Sequence, residues 1–218
     1  NADGEPRVVI GAPTIGKPKQ DIILDTCYRN SRPVLSTAHA LGFGIYRKKG
    51  LVQIFENKNL WFDIGYEERN GAINDGEHVT LSRTSKSSPE FLEQHSSIDD
   101  IIQFHEFKSE AQQTDWLVNE IRRNLNEDEL LPDDIVVINP DPLTTREAVG
   151  AARRDLMKLQ INSNLAGVTT IADIFTVPGT VTFTGIFRAK GNEAAMVYVI
   201  NAQDCFDSRL PREVAKAR

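Results

Sequence analysis

The chain has 218 residues, 40% hydrophobic and 26% charged, which are values of a folded domain and exclude a disordered or low-complexity chain. Lys and Arg number 25 against 31 Asp and Glu, a net charge of −6, so there is no global basic footprint. Any nucleic-acid contact must come from a local groove or be shared with another domain. No apolar run reaches the length of a membrane span and no signal-peptide pattern opens the chain. The two cysteines, Cys27 and Cys205, form no metal-type spacing and point to a reducing cytoplasm. The chain begins on Asn1-Ala2 and is read as an excised fragment, with motifs it lacks lying outside it.

Residues 1–20 read as a linker. Asp21-Ile22-Ile23-Leu24-Asp25 reads as a buried strand. Tyr28-Arg29-Asn30-Ser31-Arg32-Pro33 follows, with Asn30 or Ser31 as a helix N-cap and Pro33 tolerated in the first turn. Val34, Ala38, Leu41 and Ile45 then recur at helical spacing. Residues 51–55 suggest a short helix. Asn70-Gly71 and Asp75-Gly76 are hairpin-turn dipeptides, so residues 66–83 are expected to form a small β-hairpin insertion. The Ser-rich stretch 84–97 reads as an exposed loop, and residues 101–107 as a strand.

Beyond that point strands and helices alternate. Ser109 with Gln112 makes a capping box, and Leu117, Ile121 and Leu125 form an apolar stripe. Residues 134–138 read as a buried strand stopped by Asn139-Pro140. Thr144 with Glu147 is a second capping box, and Val149, Ala152, Leu156 and Leu159 mark the next helix. Residues 181–184 and 196–200 are strands. The pattern predicts one α/β domain over residues 21–204, with a mainly parallel sheet and helices on both faces, and a C-terminal segment 205–218.

Several chemical-looking signals are set aside. Gly11-Ala12-Pro13-Thr14-Ile15-Gly16-Lys17-Pro18 fits a phosphate-binding loop up to its last position, where Pro18 supplies neither the hydroxyl for Mg2+ nor an N–H for phosphate. A turn-rich linker is the better reading, and an independent P-loop NTPase using Gly11 to Lys17 is kept as an alternative. His39, His78, His95 and His105 lack ligand spacing, so no metal site is expected. Asp133-Asp134 reads as a loop end. Arg153, Arg154 and Lys158 read as a solvated helix face.

Two signals carry chemistry. Tyr28-Arg29 puts an aromatic face and a guanidinium on the loop after a strand's carboxyl end, where ligands bind in open α/β sheets. Val181-Thr182-Phe183-Thr184-Gly185-Ile186-Phe187-Arg188-Ala189-Lys190-Gly191-Asn192-Glu193-Ala194 is a strand, then a basic loop with glycine and a carboxylate. Each also has a plain structural reading, as a helix cap and as a charged connection.

In this order the two resemble motifs IV and V of the UvrD/Rep-like superfamily 1 helicases. Tyr28-Arg29-Asn30-Ser31 is similar to the "YRS" element, and Ala189-Lys190-Gly191-Asn192-Glu193 to "AKGLE". The resemblance runs from about Asp21 to about Ile200 and implies the second RecA-like domain, 2A, of an ATP-dependent DNA helicase. It implies ATP and Mg2+ held between this domain and an N-terminal RecA-like domain of the same parent chain. Tyr28 would stack on adenine, and Arg29 would act catalytically at the γ-phosphate. Glu193 would touch the nucleotide, with Gly191 shaping the loop. Thr184, Arg188 and Lys190 would face single-stranded DNA, with RNA as the other option.

The chain departs from the family pattern in several places. Gly185 and Phe187 stand where Thr and His usually precede "AKG", and Asn192 replaces Leu. No copy of motif VI or of the Walker motifs is present, and the span between the motifs is too short for a large 2B subdomain. The isolated fragment is expected to be inactive and to bind nucleotide weakly, with Arg29 and Gly191 on one edge of the sheet. A non-catalytic interaction domain with a helicase-like fold is the second alternative.

Overall fold

The structure is a computed structural model and describes residues 26–45, 51, 55, 57–90, 93–94, 96–171 and 173–205. The linker 1–20, the strand expected at 22–24, the core of the helix suggested at 51–55 and the C-terminal segment from 206 lie outside the described residues. The chain divides into two compact units, Asn1–Phe104 and His105–Arg218. This boundary falls inside the span that the sequence reads as one domain.

In the first unit, helix α1 (Arg32–Phe43) ends at Gly44, whose φ of +75° is the left-handed conformation glycine takes without a Cβ penalty. Short helix α2 (Asn59–Asp63) leads into strands β1 (Tyr66–Asn70) and β2 (Thr80–Arg83), which pair antiparallel. Helix α3 (Ile98–Ile101) closes the unit, capped reciprocally by Ser97 and Asp100. The core is aromatic: Phe43, Trp61 and Tyr66 are buried, with Phe55, Ile64, Ile73 and Leu81 packed around them.

Two expectations here are corrected. The stretch 84–97 is not wholly exposed: Ser87 and Ser88 are buried together with Arg83, because the Arg83 guanidinium needs their oxygens. Residues 102–107 form no strand, and Phe104 is exposed. Without a neighbour to satisfy its backbone groups, an apolar run does not become a strand.

The second unit is mixed α/β. Strands β3 (Ile135–Asn139), β4 (Ser163–Leu165), β5 (Val181–Gly185) and β6 (Met196–Val199) form one sheet in the order β4-β5-β3-β6, all parallel. Helix α4 (Glu110–Asn126) precedes β3. Helices α5 (Thr145–Ala148) and α6 (Gly150–Lys158) link β3 to β4, and α7 (Ile186–Ala189) follows β5.

Register explains the core. Leu165, Phe183, Val137 and Tyr198 form one row across the sheet, and they pack with Leu117 and Ile121 of α4 and with Ala152 and Leu156 of α6. Both long helices therefore serve one face. The next row, Asn164, Thr182, Val136 and Val197, points to the other face because strand side chains alternate. That face is met by the connection 166–180, where the Asn164 side chain donates to Phe175 O at 3.0 Å. A right-handed crossover from β4 to β5 belongs there, opposite the one that carries α6.

Ser109 caps α4 by accepting from Gln112 N, while Gln112 reaches back to Lys108 N rather than closing a box on Ser109. The second expected box does not form. Thr144 makes no cap, and Thr145 donates to Asp141 O at 2.7 Å instead.

Candidate functional site

Tyr28 and Arg29 lie immediately before α1 in the first unit, and both are exposed, Tyr28 at 67%. The loop that presents them is fixed at both ends. Cys27 N donates to Ser87 O at 2.9 Å. At the other end Arg32 N donates to Glu93 Oε2 at 3.1 Å, and the Arg32 guanidinium pairs with Glu93 Oε1 at 2.6 Å. Glu93 thus does what Asn30 or Ser31 was expected to do. Its carboxylate takes an N–H at the helix start, where negative charge is favoured. Pro33 in the first turn costs no hydrogen bond.

The first anchor rests on a buried charge. Arg83 is 3% exposed, and its guanidinium donates to Ser88 Oγ at 2.6 Å, to Ser87 O at 2.8 Å and to Ile64 O. It also lies over the Tyr66 ring, 5.3 Å from the centroid. Ser87 O therefore accepts from both Arg83 and Cys27. His39 Nδ1 lies 2.9 Å from the Tyr66 hydroxyl. Burial, and then Arg83, hold the His39 imidazole below its usual pKa.

Arg188, Lys190, Gly191 and Glu193 follow the carboxyl end of β5 in the second unit, and all four are exposed. Gly191 takes φ +88°, a left-handed conformation that lets the chain turn tightly. Asn192, the departure from the family's Leu, closes this turn: its Nδ2 donates to Arg188 O at 3.1 Å and its N to Ala189 O at 3.0 Å. Thr184 is fully buried within β5, and its hydroxyl donates to Gly185 O at 3.3 Å. That is a correction to its assignment as a nucleic-acid contact, because the side chain faces protein rather than an open surface.

The same edge carries an amide network that periodicity does not reveal. Asn139, fully buried at the end of β3, donates to Asp141 O at 2.7 Å and accepts from Asn201 Nδ2 at 3.0 Å. Gln113 of α4 clasps Asn201 through both its backbone N–H and its side chain, each at 2.9 Å. Asn201 takes φ +52°, which asparagine tolerates better than most residues. The carboxyl ends of β3 and β6 are thereby locked to the start of α4. The Asn139-Pro140 pair, taken as a strand stop, is the sequence trace of this lock.

Other sequence signals resolve into structure. Arg153 is tied to Ser163 Oγ at 3.1 Å and to Ser163 O at 3.2 Å, and burial lowers its pKa, so it is not a solvated face residue. Asp133 accepts from Gly179 N and Asp134 from Leu131 N, as expected of a loop end. The segment Gly11 to Lys17 lies outside the described residues. Among the described residues no group of three His, Cys, Asp or Glu converges as a metal site, and no helix is long and apolar enough to cross a membrane.

The two motif regions are thus one exposed aromatic–guanidinium pair on a doubly anchored loop, and one exposed basic loop with a carboxylate. They belong to different units. Comparison with protein-family models, with curated proteins and with solved structures gave no match.

Proposed function

We propose that this chain is the second RecA-like domain of an ATP-dependent superfamily 1 DNA helicase or translocase. In this reading it supplies one side of an inter-domain ATP site and part of a track for single-stranded nucleic acid. One observation carries the reading. The residues that resemble motif V follow the carboxyl end of a strand in an all-parallel sheet, the edge at which open α/β sheets bind ligands, with Gly191 in a left-handed turn.

The roles follow from the side chains. Tyr28 offers an exposed ring to a base, and Arg29 offers a guanidinium to phosphate charge that grows during phosphoryl transfer. Glu193 accepts from sugar hydroxyls. Arg188 and Lys190 neutralise backbone phosphates. ATP with Mg2+ would supply the transferable phosphoryl group.

The test is single-stranded-DNA-stimulated ATP hydrolysis by the full-length protein. Arg29→Ala is expected to lower kcat on the order of 1,000-fold with a much smaller change in KM. Tyr28→Ala is expected to act mainly on KM. An unchanged kcat in Arg29→Ala would sink the reading and leave a non-catalytic interaction domain. The chain alone is expected to show no magnesium-dependent turnover; turnover abolished by Lys17→Ala would favour an independent phosphate-binding loop.

A further inference from the structure

The turn after β4 meets helix α7 at one unusual contact. Gly167 takes φ +74° in the turn that ends β4, and its N–H donates to Thr170 Oγ1 at 3.0 Å. The guanidinium of Arg188 lies against it. A Cβ built on Gly167 would fall 2.5 Å from Nη2 and 2.6 Å from Nε of Arg188, closer than real Cβ atoms come to anything. The glycine therefore serves twice, once for its backbone angle and once by leaving open the space in which the guanidinium rests.

We propose that Gly167 is a positioning residue that seats the Arg188 guanidinium for the phosphate backbone of single-stranded nucleic acid, an inference that rests on the reading of Arg188 given above. The backbone of Arg188 is held by Asn192 Nδ2, which donates to its carbonyl. The side chain is long and rich in rotamers, so its ordering is the larger entropic term. Laying a planar guanidinium on a bare Cα narrows that choice, and a guanidinium carries enough N–H donors to keep a two-pronged grip for phosphate. Ordering the side chain before the ligand arrives raises affinity without any new contact. A Cβ at Gly167 would push the guanidinium away, and the side chain can yield because it is long and exposed.

Gly179 provides the control. Its φ is +72°, nearly that of Gly167, and a Cβ there meets nothing within 4 Å. Gly179→Ala thus carries the same backbone strain without the displaced guanidinium.

The experiment is binding of fluorescein-labelled oligothymidylate to the full chain by anisotropy across a salt series. Arg188→Ala is expected to weaken binding about 10-fold and to reduce the salt slope by about one. Gly167→Ala is expected to weaken it about 5-fold, Gly179→Ala less than about 2-fold, and Gly167→Ala to add nothing in the Arg188→Ala background. Nuclear relaxation of the Arg188 Nε–H should report an ordered side chain that becomes mobile in Gly167→Ala alone. If the wild-type chain does not bind, or Arg188→Ala binds as well as wild type, the reading of Arg188 fails. If Arg188→Ala weakens binding but Gly167→Ala matches Gly179→Ala, or still weakens binding without Arg188, the positioning role is overturned and the reading of Arg188 stands.

Discussion

The first unit gathers rings around a buried charge. Phe43, Trp61 and Tyr66 meet at ring separations of 4.6 to 5.7 Å, and Arg83 fills the space beside them. The second unit has a core of aliphatic side chains and one phenylalanine, with Ile121, Ile135, Val137, Val149, Leu156, Val181 and Phe183 all fully buried. The difference matters for function. Apolar side chains pack without directional demands, whereas a buried guanidinium has directions to satisfy, and here one of them fixes the carbonyl that anchors the Tyr28 loop. The first unit thus joins its stability to the presentation of Tyr28 and Arg29. The second keeps its exposed loops at the rim of a core that does not depend on them.

Each unit holds one tryptophan, Trp61 in the first and Trp116 in the second, so single-tryptophan variants report on them separately. The largest expected effect is that of Phe183→Ala, about 3–5 kcal/mol of stability lost from the second unit. It should appear as a lower urea midpoint for Trp116 in a Trp61→Phe background, with a smaller change for Trp61 in a Trp116→Phe background. Equal shifts would mean that the units unfold as one, which breaks the comparison. Arg83→Met comes next, with about 3 kcal/mol lost from the first unit because Ile64 O and Ser88 Oγ lose this donor and Ser87 O keeps only Cys27 N–H. A wild-type midpoint for Trp61 in that variant would show that the guanidinium does not hold the unit together.

The smallest effect tests one of the buried polar contacts of the second unit. Tyr198 donates to Asn124 Oδ1 at 2.5 Å beneath α4, and burial, with Glu120 acting in the same direction, pushes its hydroxyl up to about 12. An unfolded tyrosine ionises near 10. Between pH 10 and 12 the unfolded state therefore loses a proton that the folded state keeps. The contribution is fully present below pH 10 and is lost as pH rises toward 12. After screening of a half-exposed group the loss is about 1 kcal/mol. In the Trp61→Phe background the Trp116 urea midpoint should show this slope with Tyr198 in place and not in Tyr198→Phe, and an unchanged slope in the variant would place its origin elsewhere.

The aliphatic unit was the more legible one, although α1 and the hairpin of β1 and β2 in the first unit were read as well. β3, β5 and β6 stand out as β-branched runs, and α4 and α6 by the spacing of Leu117, Ile121, Ala152 and Leu156, because their burial follows a local period. β4 does not stand out: Ser163-Asn164-Leu165 is short and its Asn164 is buried only because Phe175 and Thr180 supply partners. The burial of Ser87 and Ser88, the Glu93 clamp on α1 and the seat of Arg188 on Gly167 share the same cause of invisibility. Each depends on a side chain brought from another element, and no local pattern encodes that. The exposed Tyr28, Arg29, Lys190 and Glu193 were legible as residue types on loops. The burial of Thr184 was not, since a strand's last residues can face either way.

The strand order has a consequence for how the chain is made. β3 lies inside the sheet, and both of its partners come later: Val136 pairs with Thr182 and with Val197. At ~5–20 residues per second on a ribosome, the wait for the first partner, on the order of 45 residues, lasts roughly 2–9 s. Throughout that interval Ile135-Val136-Val137-Ile138 is a β-branched run with two open edges, the kind of segment that pairs with copies of itself. Helix α4 is already synthesised, and its Leu117 and Ile121 can cover one face of the nascent strand. Substitutions on that face of α4 would then lower the yield of folded protein by more than they lower the stability of the finished fold.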